Sequence, residues 1–157
     1  MSVDVGRAQF DWSLRNDDRV TLLERTNIVD VPPLGYAGSF DVAVCDVSFT
    51  SIRTILPAVL DLLSVDGAFL TLVKPQFEAA PGEVGEGGIV RDPAVHARVL
   101  ADTVRLFAAS GLVPLDICAS PIKGAKGNRE FSLLGARGSR DVDALLGHAD
   151  ALAGGGI

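Results

Sequence analysis

Short apolar runs of strand length alternate along this chain with stretches whose apolar residues recur every three to four positions. Ser2-Val3-Asp4-Val5-Gly6 reads as a strand that ends on an acid and a glycine, residues 8–15 as a short helix, and Arg19 to Leu23 as a strand. Phe40 to Val47 (FDVAVCDV) is nearly continuous in apolar character between Gly38 and Ser48, which predicts a strand buried on both faces. Ser51 can cap the helix that follows, and its Ile52, Ile55, Leu56, Val59, Leu60 and Leu63 repeat at helical spacing until Asp66-Gly67 turns the chain. Ala68 to Val73 is then a second buried strand.

The second half continues the alternation. Gly82 to Gly88 holds four glycines and two glutamates and predicts a flexible loop. Asp92-Pro93 supplies an N-cap and a proline at the first helical position for a helix over about 92–109, which Gly111 ends. Leu112 to Ala119 and Glu130 to Ala136 read as strands joined by the loop Ser120 to Asn128, an antiparallel edge on an otherwise parallel sheet. Residues 139–153 predict a terminal helix, and Gly154 to Gly156 a frayed end. Strand and helix in turn give an α/β fold, a mostly parallel sheet covered on both faces, in one domain without repeats or linkers.

Composition narrows the function classes. A chain of 157 residues at 48% apolar can bury a core, and its net charge of −6 argues against a bulk positive surface for nucleic acid while leaving room for a local basic pocket. Cys45 and Cys118 stand singly inside apolar runs, so buried reduced thiols are expected. His96 and His148 add no ligand cluster, so no metal is predicted. No run approaches the roughly 20 apolar residues of a membrane span, and the N-terminus lacks a signal-peptide pattern, so the expectation is a soluble cytoplasmic protein with no membrane partner.

Three clusters able to do chemistry fall at the carboxyl ends of predicted strands, where open α/β sheets bind ligands. In Cys45-Asp46-Val47-Ser48-Phe49 an acid leaves a strand into a turn, which taken alone is equally a helix cap. In Val73-Lys74-Pro75-Gln76-Phe77-Glu78 a lysine ends an apolar strand, where it must pair with acids or snorkel to solvent. The third is the Ser120–Asn128 loop with Arg129-Glu130-Phe131, whose glycines permit close approach and whose lysines can face phosphate. A surface hairpin loop would look much the same. Taken together, Asp46, Lys74 and Glu130 converge from three strands, and two carboxylates flanking one ammonium set a proton-transfer group. Asp4 has the place of the acid that bonds ribose hydroxyls after the second strand of nucleotide-binding folds.

The segments DVGRAQFDWSLRNDDRV, ERTN, CDVSFTSI, LVKPQFE, GGIVRDPAVH and SPIKGAKGNREF, in this order, resemble the TlyA family, from Val3 to about Arg137. The resemblance implies a Rossmann-like, FtsJ-type methyltransferase that uses S-adenosyl-L-methionine to methylate ribose 2′-hydroxyls of ribosomal RNA. It implies Asp4, Gly6, Glu24, Asn27 and Asp46 as cofactor-binding residues. Asp46, Lys74 and Glu130 match the last three members of a lysine, aspartate, lysine, glutamate catalytic set. Arg91, Lys123, Lys126 and Arg129 are the RNA-facing candidates, with ribosomal RNA or a ribosomal subunit as partner. Family members begin with an S4-like RNA-binding domain, a first catalytic lysine and a glycine-rich cofactor loop after a central first strand, and none of these precedes Ser2 here. The expectation is a partial catalytic domain, impaired in methyl transfer, whose sheet must close a gap or pair through an exposed edge. The rivals are an inactive fragment, a non-enzymatic binding module, a nicotinamide-dependent oxidoreductase and a membrane-active haemolysin. The oxidoreductase leaves Lys74-Pro75 and the glycine-rich loops unexplained, and the haemolysin lacks an amphipathic basic segment.

Overall fold

The computed structural model describes residues 1–137, 149 and 151–154. The elements are β1 (Ser2–Asp4), α1 (Trp12–Arg15), β2 (Leu22–Glu24), β3 (Phe40–Cys45), α2 (Ile52–Leu62), β4 (Leu63–Val73), α3 (Pro75–Glu78), α4 (Pro93–Ala109), β5 (Leu112–Ala119) and β6 (Phe131–Arg137). Most of the terminal helix expected over 139–153 lies outside the described residues, as does His148; Ala149 and residues 151–154 are helical.

Local chemistry opens α2 and α4 as expected, whereas the helix expected over 8–15 is confined to Trp12–Arg15 and the turn expected at Asp66-Gly67 lies inside β4. The Ser51 hydroxyl accepts from the Arg53 amide at 3.1 Å and opens α2, whose Ile52, Ile55, Leu56, Val59 and Leu62 are buried along one face. The Asp92 carboxylate accepts from the Ala94 amide at 2.9 Å, with Pro93 in the first turn of α4. Beyond the Ser110 cap, Gly111 takes a φ of +82°, which a side chain would resist, and the chain turns directly into β5.

Four strands form one sheet in the order β3-β4-β6-β5, with β3 parallel to β4 and both pairings of β6 antiparallel. The antiparallel pair is therefore at the end of the sheet where the sequence puts it, with β5 outermost. α4 lays Val95, Val99, Leu100, Val104 and Phe107 into the core against Phe69, Phe131 and Leu133. The Phe69 and Phe107 rings stack at 5.5 Å, and Gly135 makes the room: a Cβ there would lie 2.6 Å from the Phe107 ring.

β1 and β2 pair in parallel as a separate two-stranded sheet. Between this pair and β3 lies a cleft of about 940 Å³, lined from one end of β1 to the other and along β3. Two expectations are corrected here. β3 is not buried on both faces: β4 is its one strand partner among the described residues, and Val42 and Val44 are 63% and 74% exposed. Its run of apolar residues has the composition of a central strand, while Ala43 and Cys45 alone turn toward the core. The buried-thiol expectation fails at Cys118, which is exposed on the outermost strand; Cys45 is half-buried, and burial pushes its thiol up from the usual range.

Candidate functional site

The turn after β3 and the turn after β4 meet at the carboxyl ends of two parallel strands. The Lys74 side chain is nearly enclosed, and its Nζ lies 2.6 Å from Asp46 Oδ1 and donates to Ser48 Oγ at 3.0 Å. Asp46 itself is solvent-exposed, so the pair has one buried and one hydrated partner. This arrangement answers the cost of ending an apolar strand on lysine, since a buried ammonium needs a counter-charge and hydrogen-bond acceptors.

Glu78 fastens the same two turns a second time. Its carboxylate accepts from Ser51 Oγ at 2.6 Å and from the Ile52 amide at 2.7 Å, at the N-terminus of α2. Burial raises its pKa from the usual carboxylate range, against the lowering effect of those two bonds. The Phe49 and Phe77 rings lie 5.1 Å apart across the two turns, and Phe49 holds a φ of +62° while 91% exposed.

Glu130 differs from the expected pattern. Continuing the register of Val73 opposite Phe131 brings Lys74 opposite Glu130, yet no ion pair within 4.0 Å joins them among the described residues. The Glu130 carboxylate is buried and accepts from Gln76 Nε2 at 3.2 Å. One carboxylate, not two, touches the ammonium. The group is a charged donor held by an acid and a hydroxyl, with a separate buried acid across the strand pair, able to stabilise a developing oxyanion and to accept a proton.

Asp4, Gly6, Asn27 and Asp46 all line the cleft beside β3. Asp4 Oδ1 accepts from the Gly6 amide at 2.6 Å, which tightens the turn after β1, and Asn27 caps the next turn through the Val29 amide at 3.3 Å. Glu24 is not brought into the lining: its carboxylate accepts from Arg15 Nη2 and the Ala8 amide, both at 2.6 Å, and the Arg15 bond is the main cause that holds it below the usual range.

The basic candidates separate. Asn128 stitches two loops together, accepting from the Val90 amide at 3.2 Å and donating to the Gly88 carbonyl at 2.9 Å, and this puts exposed Arg91, Lys123 and Lys126 on neighbouring loops. Arg129 is spent elsewhere, donating to the Leu152 and Ala153 carbonyls at 2.9 and 3.1 Å with its guanidinium over the Phe131 ring. Ser48, Gln76, Glu78, Gly124 and Asn128 were not singled out as site residues from the sequence. Their common signal is position: each lies within a few residues of Asp46, Lys74 or Glu130.

With this geometry in view, the match to a family model is decisive: residues 1–137 fit the FtsJ-like methyltransferase model. The chain belongs to the FtsJ-like methyltransferase family. It is 44% identical over 133 residues to the 16S/23S rRNA (cytidine-2'-O)-methyltransferase TlyA of Mycobacterium tuberculosis, covering 85% of this chain and 50% of the relative. It is 47% identical over 133 residues to the putative rRNA methyltransferase YqxC of Bacillus subtilis, covering 84% of this chain and 47% of that one. The crystal structure of a putative hemolysin from Lactococcus lactis superposes with a TM-score of 0.82 at 32% identity, over 93% of this chain and 74% of that one. The resemblance to the TlyA family and the α/β methyltransferase fold therefore hold, and the chain spans about half the length of the rRNA methyltransferase relatives it matches.

Proposed function

We propose that this chain carries the reacting centre of an S-adenosylmethionine-dependent methyltransferase that acts on ribose 2′-hydroxyls of ribosomal RNA. The observation that carries the reading is the Lys74–Asp46 pair, set with Ser48 at the carboxyl ends of two parallel strands and beside a cleft lined by Asp4, Gly6 and Asn27. The residues fit the cofactor: carboxylates and an amide suit ribose hydroxyls and an amino group, and about 940 Å³ is the size of a ligand cleft. Asp4, Gly6, Asn27 and Asp46 are the residues that would hold it, with Glu24 a less direct contributor through the turn it closes on Ala8.

When bound, S-adenosylmethionine supplies a methyl group already activated by its sulfonium. The protein's part is positioning and electrostatics. Asp46 and Ser48 hold the Lys74 ammonium, which stabilises the ribose oxygen as its proton departs, and Glu130 is the acid placed to assist across the strand register. Arg91, Lys123 and Lys126 offer phosphate contacts on two adjoining loops, a local basic face on a chain of net charge −6. The place of work for such a substrate is the cytoplasm, and among the described residues no helix is long and apolar enough to cross a membrane.

The open edge of β3 supports a second reading of how the chain works. A strand edge without a partner among the described residues, facing a separate two-stranded sheet across the cleft, is what a domain leaves when a strand belongs between β1 and β3. On that reading the isolated chain is a partial catalytic domain that binds the cofactor weakly and self-associates through this edge.

Two measurements test these readings. Lys74→Ala is expected to abolish methyl transfer to ribosomal RNA while cofactor affinity stays nearly intact; retained turnover would remove Lys74 from the reaction. Calorimetric titration of the chain with S-adenosylmethionine separates the two states, because tight binding at ordinary stoichiometry contradicts a cleft that lacks a strand.

A further inference from the structure

Glu130 poses a local problem that the methyl-transfer reading does not solve. Its strand register sets it opposite Lys74, yet no ion pair within 4.0 Å joins the carboxylate to the ammonium among the described residues. A buried carboxylate without a cation should move toward one unless other groups hold it.

Two groups do so. Gln76 Nε2 donates to Glu130 Oε1 at 3.2 Å, from the first turn after Pro75. The Gln76 amide meets Glu130 with its nitrogen, so Gln76 is the donor of the pair. The second group is an absence of bulk. A Cβ at Gly124 would lie 2.1 Å from Glu130 Oε1 and 2.6 Å from its Cδ, so the carboxylate fills the space a side chain at 124 would take. Gly124 is not in the left-handed region, so an alanine is compatible with its backbone and only space is at stake. Its own loop is pinned, with the Gly124 amide donating to the Asn128 carbonyl at 2.9 Å and the Gly127 amide donating to the Gly124 carbonyl at 3.0 Å.

We propose that Gln76 is a positioning residue for Glu130, acting with the space left at Gly124 to keep this carboxylate in place as a second acid separate from the Lys74–Asp46 pair. The inference rests on the methyltransferase reading for its meaning and on geometry for its content. Among the described residues Gln76 Oε1 is buried without a hydrogen-bond partner, so the same amide keeps one acceptor for a donor that enters the site. Asp46 already supplies the counter-charge of the ammonium, which leaves Glu130 with a different task from neutralising it.

The experiment has a spectroscopic arm and a kinetic arm. In nitrogen-15 correlation spectra, the Gln76 side-chain amide signals, assigned by their loss in Gln76→Leu, are expected to move in both Gly124→Ala and Glu130→Gln. In the kinetic arm, Gln76→Leu and Gly124→Ala are expected to lower kcat for methyl transfer by about 100-fold, as for a misplaced reacting group, with KM for RNA and cofactor affinity unchanged. Gln76 amide signals that stay in place in both variants overturn the proposal, whatever the activity. A rise in KM with kcat preserved also overturns it, because that assigns Gln76 to binding. If the unmodified chain transfers no methyl group, that result counts against its being a self-sufficient methyltransferase, and the amide signals alone decide the positioning.

Discussion

Phe69 and Phe131 in the four-stranded sheet and Phe107 on α4 against it are fully buried, whereas no residue before Val31 is more than partly buried. The two regions are held by different forces. β4, β6, α2 and α4 close over a continuous apolar core, and burying each large side chain there contributes on the order of 2 kcal/mol. The β1–β2 pair has a three-residue parallel ladder and polar bonds at its ends, from the Gly6 amide to Asp4 and from Arg15 and the Ala8 amide to Glu24. The difference teaches where the rigid part of the site lies. Lys74, Asp46 and Glu130 stand on the packed sheet, while Asp4, Gly6 and Asn27 stand on the part with little apolar support, and local opening draws on such parts first.

Substitutions can break or sharpen this contrast. The largest effect is expected at Phe107→Ala, which empties the stack on Phe69 and should cost about 3–5 kcal/mol in denaturant unfolding. Trp12→Ala in the other region, where the ring is 75% exposed, should stay within about 0.5 kcal/mol, and a comparable loss there would erase the distinction. Next comes Gly135→Ala, whose Cβ would press on the Phe107 ring from 2.6 Å; overpacking of this kind costs about 1–3 kcal/mol, read as a lowered unfolding midpoint.

The smallest effect is linked to pH. His96 is buried in α4, with Nε2 3.1 Å from the Val90 carbonyl, and burial lowers its pKa below the ordinary 6.5. The folded state therefore favours neutral imidazole. Its contribution is present above the unfolded value and is lost as pH falls through the lowered folded one. Unfolding midpoints at about pH 7.5 and about pH 5 should show a loss in the parent chain that is reduced in His96→Gln. Equal losses in the two would mean that the core side of the contrast has no such pH dependence.

Element type was legible because it depends on neighbours in sequence. The caps at Ser51 and Asp92, the apolar face of α2 and the strand pair around the 120–128 loop are all local signals, and they appear where the periodicity puts them. The candidate site was legible in its headline residues, since an acid or a lysine ending an apolar strand has few inexpensive explanations. Its supporting residues were not. Ser48, Gln76 and Glu78 gain meaning only from partners 26, 54 and 27 positions away. The exposure of Val42 and Val44 was likewise hidden, because a strand's composition records the neighbours it suits and not the neighbours it has.

The sequence by itself determined the alternation of elements, the family and the identity of the polar groups at the strand ends, because each is written in short-range spacing and motif. Tertiary structure alone decided which acid meets Lys74. Asp46 reaches the ammonium from a parallel neighbour, while Glu130, though opposite it in register, is kept on Gln76 and in the space at Gly124. The reason is physical: a charge settles with whichever partners the packed backbone brings within hydrogen-bond reach, and a distance of a few ångströms between three strands is not a property of any one of them.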